Sequence, residues 1–200
     1  KAHFPQGAAH EQSLVVDQAA LDAVISELPL AEVTAFSIDD SGTTEIDDAL
    51  SVTTLEGGGH RIGIHIAAPG LVIAKDDALD KVARTRMSTV YFPGDKITML
   101  PDTVIAQFSL DEGAARPALS IYVDIDSTGV LDKDSLQLRA EMVPMGANLR
   151  LENLEHLVTE ESLVDESSDY AYRQELSVLW AAAKLLHAGR QEQRVVNGLR

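Results

Sequence analysis

Apolar residues recur along this chain with two different periods, and the switch between them outlines the fold. Near the start, Asp17 is placed to cap a helix carrying Ala20, Leu21, Val24, Ile25 and Leu28, which Pro29 stops. The pattern then becomes strand-like. Val33 to Ile38 and Ala49 to Leu55 read as strands, the second followed by Gly57-Gly58-Gly59, which can take positive φ and turn the chain. Arg61 to Ala68 alternates Ile62, Ile64 and Ile66 on one face. His65 points the other way, as a packing or hydrogen-bonding residue. Asp76 opens a helix through Arg86 with Leu79, Val82 and Ala83 inward, and Ala118–Ile125 and Val130–Met142 form a hairpin around Ser127-Thr128-Gly129. Helical spacing returns at Leu151, Leu154, Leu157 and Val158, and again from Tyr172 through Leu176, Leu179, Trp180, Ala183 and Leu186. The expected class is α+β, a mixed sheet of hairpins flanked by helices. Residues 1–30 read as an upstream linker with a short helix, and residues 31–200 as the body. Met87, Met99, Met142 and Met145 are expected in the core, with Trp180 as a helix-packing anchor. The apolar Val195, Val196 and Leu199 run to Arg200 with no polar tail, which predicts a segment of a longer polypeptide, as does the polar lead-in Lys1 to Ser13.

Composition narrows the function. Apolar residues make up 45% of the 200, enough for a real core, but aromatics only 4%, so that core is aliphatic. There is no cysteine, which excludes a disulfide scaffold, a thiolate zinc site and a cysteine nucleophile. No apolar run nears the roughly 20 residues of a membrane helix, and no signal-peptide core follows Lys1. A cytoplasmic setting without membrane contact is expected. His3 and His10, in the polar lead-in, read as incidental. The formal net charge is −16, which repels phosphate unless some of the acids hold cations.

The candidate chemistry sits in one loop, Asp39-Asp40-Ser41-Gly42-Thr43-Thr44-Glu45-Ile46-Asp47-Asp48, with five carboxylates between two expected strands. Folding forces these like charges together, and a divalent cation relieves the cost. Oxygen donors of this kind suit magnesium, manganese or calcium. An EF-hand is excluded, because its sixth and twelfth positions, counted from Asp39, hold Thr44 and Leu50 instead of Gly and Glu. A solvated acidic turn remains the plain alternative. Phe36 and Ile38 before the cluster, and Ala49 and Leu50 after it, favour a rigid platform at the ends of buried strands.

The stretch resembles the catalytic acidic motif of the ribonuclease II / ribonuclease R family, the RNB domain. The resemblance continues in order through Ile62–Ala67, Leu79–Arg86, Ser88–Gly94, Met99–Pro101, Phe108–Leu110 and Arg116–Ser120, and weakly on to Gly198-Leu199. It implies the N-terminal portion of a metal-dependent 3′-to-5′ exoribonuclease that hydrolyses single-stranded RNA to nucleoside 5′-monophosphates, with Mg2+, or Mn2+ in its place. Asp39, Glu45, Asp47 and Asp48 stand at the four acidic metal positions, Asp47 being the residue on which catalysis depends most. Tyr91 stands where an aromatic stacks on RNA bases, and Arg86 is a candidate RNA contact. The remaining catalytic and RNA-gripping parts are expected elsewhere in the parent polypeptide.

This chain departs from the family pattern at several points. The family usually has aspartate where Glu45 stands and an aspartate where Ala68-Pro69 follow the strand. A second aromatic clamp is missing near Leu149–Leu151, where Arg150 is the nearest candidate and can hold phosphate. These departures leave an alternative, a catalytically decayed RNA-binding or regulatory module. A calcium-binding structural domain is a third and weaker reading.

Overall fold

The computed structural model describes residues 14–196. Lys1 to Ser13, with His3 and His10, and Gly198-Leu199 lie outside them. Five strands close into a barrel in the order β1 (Ala35–Asp39), β2 (Asp48–Thr54), β3 (His60–Ala67), β6 (Ala115–Ile125) and β7 (Leu131–Arg150). Neighbours run antiparallel except where β7 returns beside β1, in parallel, and seals the sheet. The expected mixed sheet of hairpins is present, and its closure is the added feature.

The strand expected at Val130–Met142 is longer, running through Pro144 and Gly146 to Arg150. The extra length lets one strand pair first with β6 and then, past a register shift at Ala35/Phe36, with β1. A short hairpin, β4 (Val90–Phe92) and β5 (Asp95–Ile97), forms a separate two-stranded sheet.

A five-stranded barrel has a narrow lumen; Val143 and Met145 pack inside it with Ile46 and Leu110, and many of the other residues facing it are small or hydrogen-bonded. Ala35, Ser37, Ala49, Ser51, Ala118 and Ser120 are all buried. His65 is fully enclosed among them, with Nε2 2.9 Å from Ser51 Oγ and Nδ1 2.8 Å from Ser120 Oγ. Next to it Tyr122 Oη donates to buried Glu141 at 2.6 Å. The hydrogen-bonding role expected for His65 is what the barrel shows. The isoleucines face outward. Ile62 is covered by the long C-terminal helix, while Ile64 and Ile66 are 36% and 39% exposed.

Burial pushes the His65 imidazole down to about 4, with Glu141 opposing. The unfolded chain takes up this proton near pH 6.5 and the folded one only near 4. Stability conferred by neutral His65 is therefore complete above pH 6.5 and is lost as pH falls toward 4. The loss is roughly 3 kcal/mol at most, from about 1.4 kcal/mol per unit. Urea unfolding should show a wild-type advantage over His65→Gln that grows between pH 4 and pH 6.5 and is constant above pH 7.

The helices form two groups. The first, α1 (Gln18–Glu27), α2 (Ala78–Arg86) and α3 (Asp102–Phe108), builds a satellite core. Leu21, Leu79, Val104 and Phe108 meet there with Leu14, Val16 and Leu100. Asp17 caps α1 as expected, accepting from the Ala19 and Ala20 amides. The cap of α2 is Asp77, one residue later than expected. The second group is α4 (Leu151–Leu154), α5 (Glu160–Val164) and α6 (Arg173–Val196). Phe36 packs there on Leu163, Leu176 and Tyr172.

Two packing expectations fail. Met87, expected in the core, is 80% exposed because it ends α2 in the left-handed conformation. Trp180 remains 40% exposed on the outer side of α6 beside Lys184.

Candidate active site

The acidic loop sits at one rim of the barrel. Asp39 is the last residue of β1 and Asp48 the first of β2, so paired strands carry its two ends. Asp39 is held by a short relay. Asn148 Nδ2 donates to Ser37 Oγ at 2.9 Å, and Ser37 Oγ donates to Asp39 Oδ2 at 2.5 Å. Asn148 also donates to the Leu110 carbonyl and accepts from the Glu112 amide, which ties β7, β1 and the 110–112 segment together.

Arg150, considered above as a phosphate contact, turns its guanidinium onto the carbonyls of Asp40 and Thr43 at 3.0 and 3.3 Å. It braces the loop from behind. Ile46 is buried beneath, its amide held by Ser109 Oγ, so the loop is anchored in the core between its acids.

Asp47 and Asp48 are exposed and Glu45 is buried. The Asp47 carboxyl is pushed up from its ordinary value. Desolvation is the first cause, followed by repulsion from Glu45 and Asp48, with Lys96 opposing and Asp39 adding a smaller push. Three other carboxylates thus crowd Asp47 closely enough to make its ionisation costly.

Glu45 is occupied otherwise. Lys96 Nζ donates to its Oε1 at 2.5 Å and also to Thr44 Oγ1 at 2.8 Å. Thr89 Oγ1 donates to its Oε2 at 3.0 Å. The additional methylene of Glu45 takes its carboxylate away from the strand ends and into this pocket.

Beside Asp47 lies a cleft of about 460 Å³, between the barrel rim and the α2–hairpin–α3 layer. Glu45 and Asp47 stand on one wall. Ile66, Pro69, Met87, Met99 and Phe108 make an apolar lining, and Tyr91 reaches in from the hairpin. An apolar cleft with a few convergent polar groups is the usual form of a small-ligand site.

Tyr91 is 64% exposed, an open aromatic face at the mouth. Desolvation and the nearby Glu45 raise its phenol above the ordinary value, Lys96 lowers it, and Asp47 raises it slightly. The Arg86 guanidinium donates to the Thr98 carbonyl at 2.6 Å, bracing α2 against the segment after β5. Arg84 pairs with Asp76 and Asp80.

Of the residues singled out from sequence, Glu45, Asp47 and Tyr91 line this cleft, Asp39 and Asp48 stand at the strand ends near Asp47 without lining it, and Arg86 braces α2 beside it. Lys96, Thr89, Ser37, Asn148 and the bracing role of Arg150 were not foreseen. Lys96 is separated from Glu45 by about fifty positions, and nothing in one sequence pairs them.

Among the described residues no group of three His, Asp or Glu side chains converges in metal-ligand geometry. The donor chemistry of Asp39, Asp47 and Asp48 fits a hard divalent cation, and the repulsion on Asp47 is what such an ion relieves. Glu45 fits less well, both oxygens being bonded within the protein.

With the geometry established, comparison with known proteins identifies the class. The RNB domain family model matches residues 28–198, and the chain belongs to that family. It is 36% identical to Exoribonuclease 2 of Vibrio vulnificus over 134 residues, 66% of this chain and 20% of that protein. Its fold matches that of Mycoplasma genitalium RNase R in complex with ribose-methylated single-stranded RNA. The TM-score there is 0.72 at 18% identity, covering 92% of this chain and 28% of that one. Yeast Ssd1, described as a pseudonuclease, shares the fold at TM-score 0.59 and 22% identity, over 72% of this chain and 17% of Ssd1. The chain spans about a tenth to a fifth of the length of the curated relatives it matches. No helix among the described residues is long and apolar enough to cross a membrane.

Proposed function

We propose that the protein carrying this chain is a cytoplasmic exoribonuclease that binds single-stranded RNA and removes nucleoside 5′-monophosphates from its 3′ end, with Mg2+, or Mn2+ in its place. The observation that carries this reading is Asp47. It stands exposed at the wall of an apolar cleft, crowded by Glu45, Asp48 and Asp39.

Asp39, Asp47 and Asp48 are the residues that would hold the ion, Asp39 already fixed by Ser37 and Asn148. A bound divalent cation supplies charge that favours attack of water on phosphorus and stabilises the departing oxygen. The chain's own residues do the rest. The apolar lining desolvates a terminal nucleoside, and Tyr91 offers a face for a base. Such stacking is worth roughly 1–3 kcal/mol per base and is indifferent to sequence. The acidic neighbours make the negative charge of Asp47 costly, and a cation held there would offset that cost.

Incubating the full-length protein with 5′-labelled single-stranded RNA tests this. A ladder shortening from the 3′ end in Mg2+ or Mn2+, abolished by chelator, is expected. In the same assay Tyr91→Ala should lengthen the final product by one or more nucleotides while altering the early rate less. An unchanged limit product would remove Tyr91 from base stacking.

One observation favours a second reading. Glu45, one of the four acids, is tied to Lys96 and Thr89, as in a site that has lost a metal ligand and kept its RNA surface. That decayed module would retain RNA and cut none of it in either metal.

A further inference from the structure

The β4–β5 hairpin that presents Tyr91 is a weak element. Its strands are three residues each, it shares no backbone hydrogen bonds with the barrel sheet, and Val90, Tyr91, Phe92 and Ile97 are all exposed. An isolated two-stranded hairpin is marginal in water. Yet Tyr91 must hold a fixed place relative to Asp47 if it is to align a substrate.

The side chain that spans the gap is Lys96, in the middle of β5. Its ammonium reaches Glu45 at 2.5 Å and Thr44 at 2.8 Å, and lies 5.9 Å from the centre of the Tyr91 ring. It is enclosed as well as close. The Glu45 side chain is 6% exposed and that of Lys96 25%. Thr89, immediately before β4, holds the other Glu45 oxygen and in turn accepts from the Met99 amide. Both sides of the hairpin thus converge on one buried carboxylate.

We propose that Glu45 and Lys96 form a latch that docks the Tyr91 hairpin on the acidic loop, with Lys96 taking the place of a cation at Glu45 so that this carboxylate is withheld from metal binding. In a low-exposure site an ammonium 2.5 Å from Oε1 leaves no room on that oxygen for a divalent ion, and repels one placed there. Lys96 is a positioning residue acting through the hairpin. The assignment of Glu45 builds on the exoribonuclease reading, because it divides the four acids into three that serve a cation and one that serves the hairpin.

Two readouts on the full-length protein test it. The first is amide hydrogen exchange over residues 88–98. Exchange should rise at least about tenfold in Glu45→Gln and Lys96→Gln, with Lys96→Arg restoring most of the protection. Unchanged exchange in both Gln variants would overturn the latch. The second is Mn2+ binding, followed by loss of the free-ion electron paramagnetic resonance signal. Glu45→Gln should change the Kd less than about threefold, whereas Asp48→Asn weakens binding at least about tenfold. If Glu45→Gln weakened Mn2+ as strongly as Asp48→Asn, Glu45 would be a ligand and the proposed withholding would be wrong. Wild-type protein that binds no Mn2+ would instead overturn the metal reading of the loop, and the exchange data would still decide the latch. Lys96→Arg guards against misfolding, since it keeps the buried charge paired.

Discussion

Asp47→Asn should abolish RNA hydrolysis, by about a thousandfold or more, in a protein that is as stable as the wild type or more so. The two halves of this expectation have one cause. In the folded chain the Asp47 carboxyl is raised by desolvation and by its acidic neighbours. A raised carboxyl stabilises the fold fully below its unfolded value, and that contribution is lost as pH rises through the folded value. At neutral pH ionised Asp47 is therefore a cost to folding, and an isosteric amide removes it. The same amide removes a charge from the place where the proposed cation would be held. Thermal melting and single-turnover cleavage, measured on the same preparations, separate the effects. Wild-type turnover in the variant would remove Asp47 from its catalytic role, and a large drop in melting temperature would show that its charge is balanced in some other way.

The largest purely structural effect is expected at Gly63. It lies on β3 with its Cα facing the lumen. A Cβ there would stand 2.3 Å from Ser51 Oγ, 2.8 Å from His65 Nε2 and 2.9 Å from Tyr122 Cε1. None of these can move without breaking the Ser51–His65–Ser120 chain or pushing on the Tyr122–Glu141 pair. Overpacking of this kind costs about 1–3 kcal/mol, and a broken buried hydrogen bond adds to it. Gly63→Ala should therefore lower the melting temperature by about 6–12 °C, taking roughly 2–4 °C per kcal/mol for a chain of this size. Gly70→Ala is the control, since a Cβ there meets nothing within 4 Å. Equal stability of the two variants would mean that the lumen is looser than the distances imply.

The Gly63 environment also explains how far the sequence could be read. Alternation of Ile62, Ile64 and Ile66 marked β3 correctly, but alternation alone does not say which face is inside. In most sheets the isoleucines would be. Here five strands close on a lumen too narrow for them, so Gly63, His65, Ser51 and Ser120 go inside. Closure depends on the parallel pairing of Asp39 with Arg150, more than a hundred residues away, and no local pattern announces it. Pro144 and Gly146 hid the continuation of β7, because both usually end strands. Helix α3 was missed for a similar reason. Seven residues that begin after a proline and include Thr103, Val104 and Ile105 carry little helical signal, and the helix exists because Val104 and Phe108 are buried in the satellite core.

The site divides along the same line. Its acids were legible because they are contiguous and crowded, and Tyr91 because it lies in an ordered series of motifs. Lys96, Thr89, Asn148 and the bracing role of Arg150 were not, since each acts on the acidic loop from another element. Glu45 in a position where the family usually has aspartate was the single hint. A longer side chain needs a partner farther out, and Lys96 is that partner.

The position of the first cut is the most direct test of the proposed active site. Full-length protein should be given single-stranded RNA labelled on its 3′-terminal nucleotide, in Mg2+, in Mn2+, with chelator, and as Asp47→Asn. The expected result is labelled mononucleotide as the first product in either metal, with none in chelator or in the variant. Labelled oligonucleotides appearing first, or RNA retained intact in both metals, would contradict the assignment of this cleft as the active site of a 3′-to-5′ exoribonuclease.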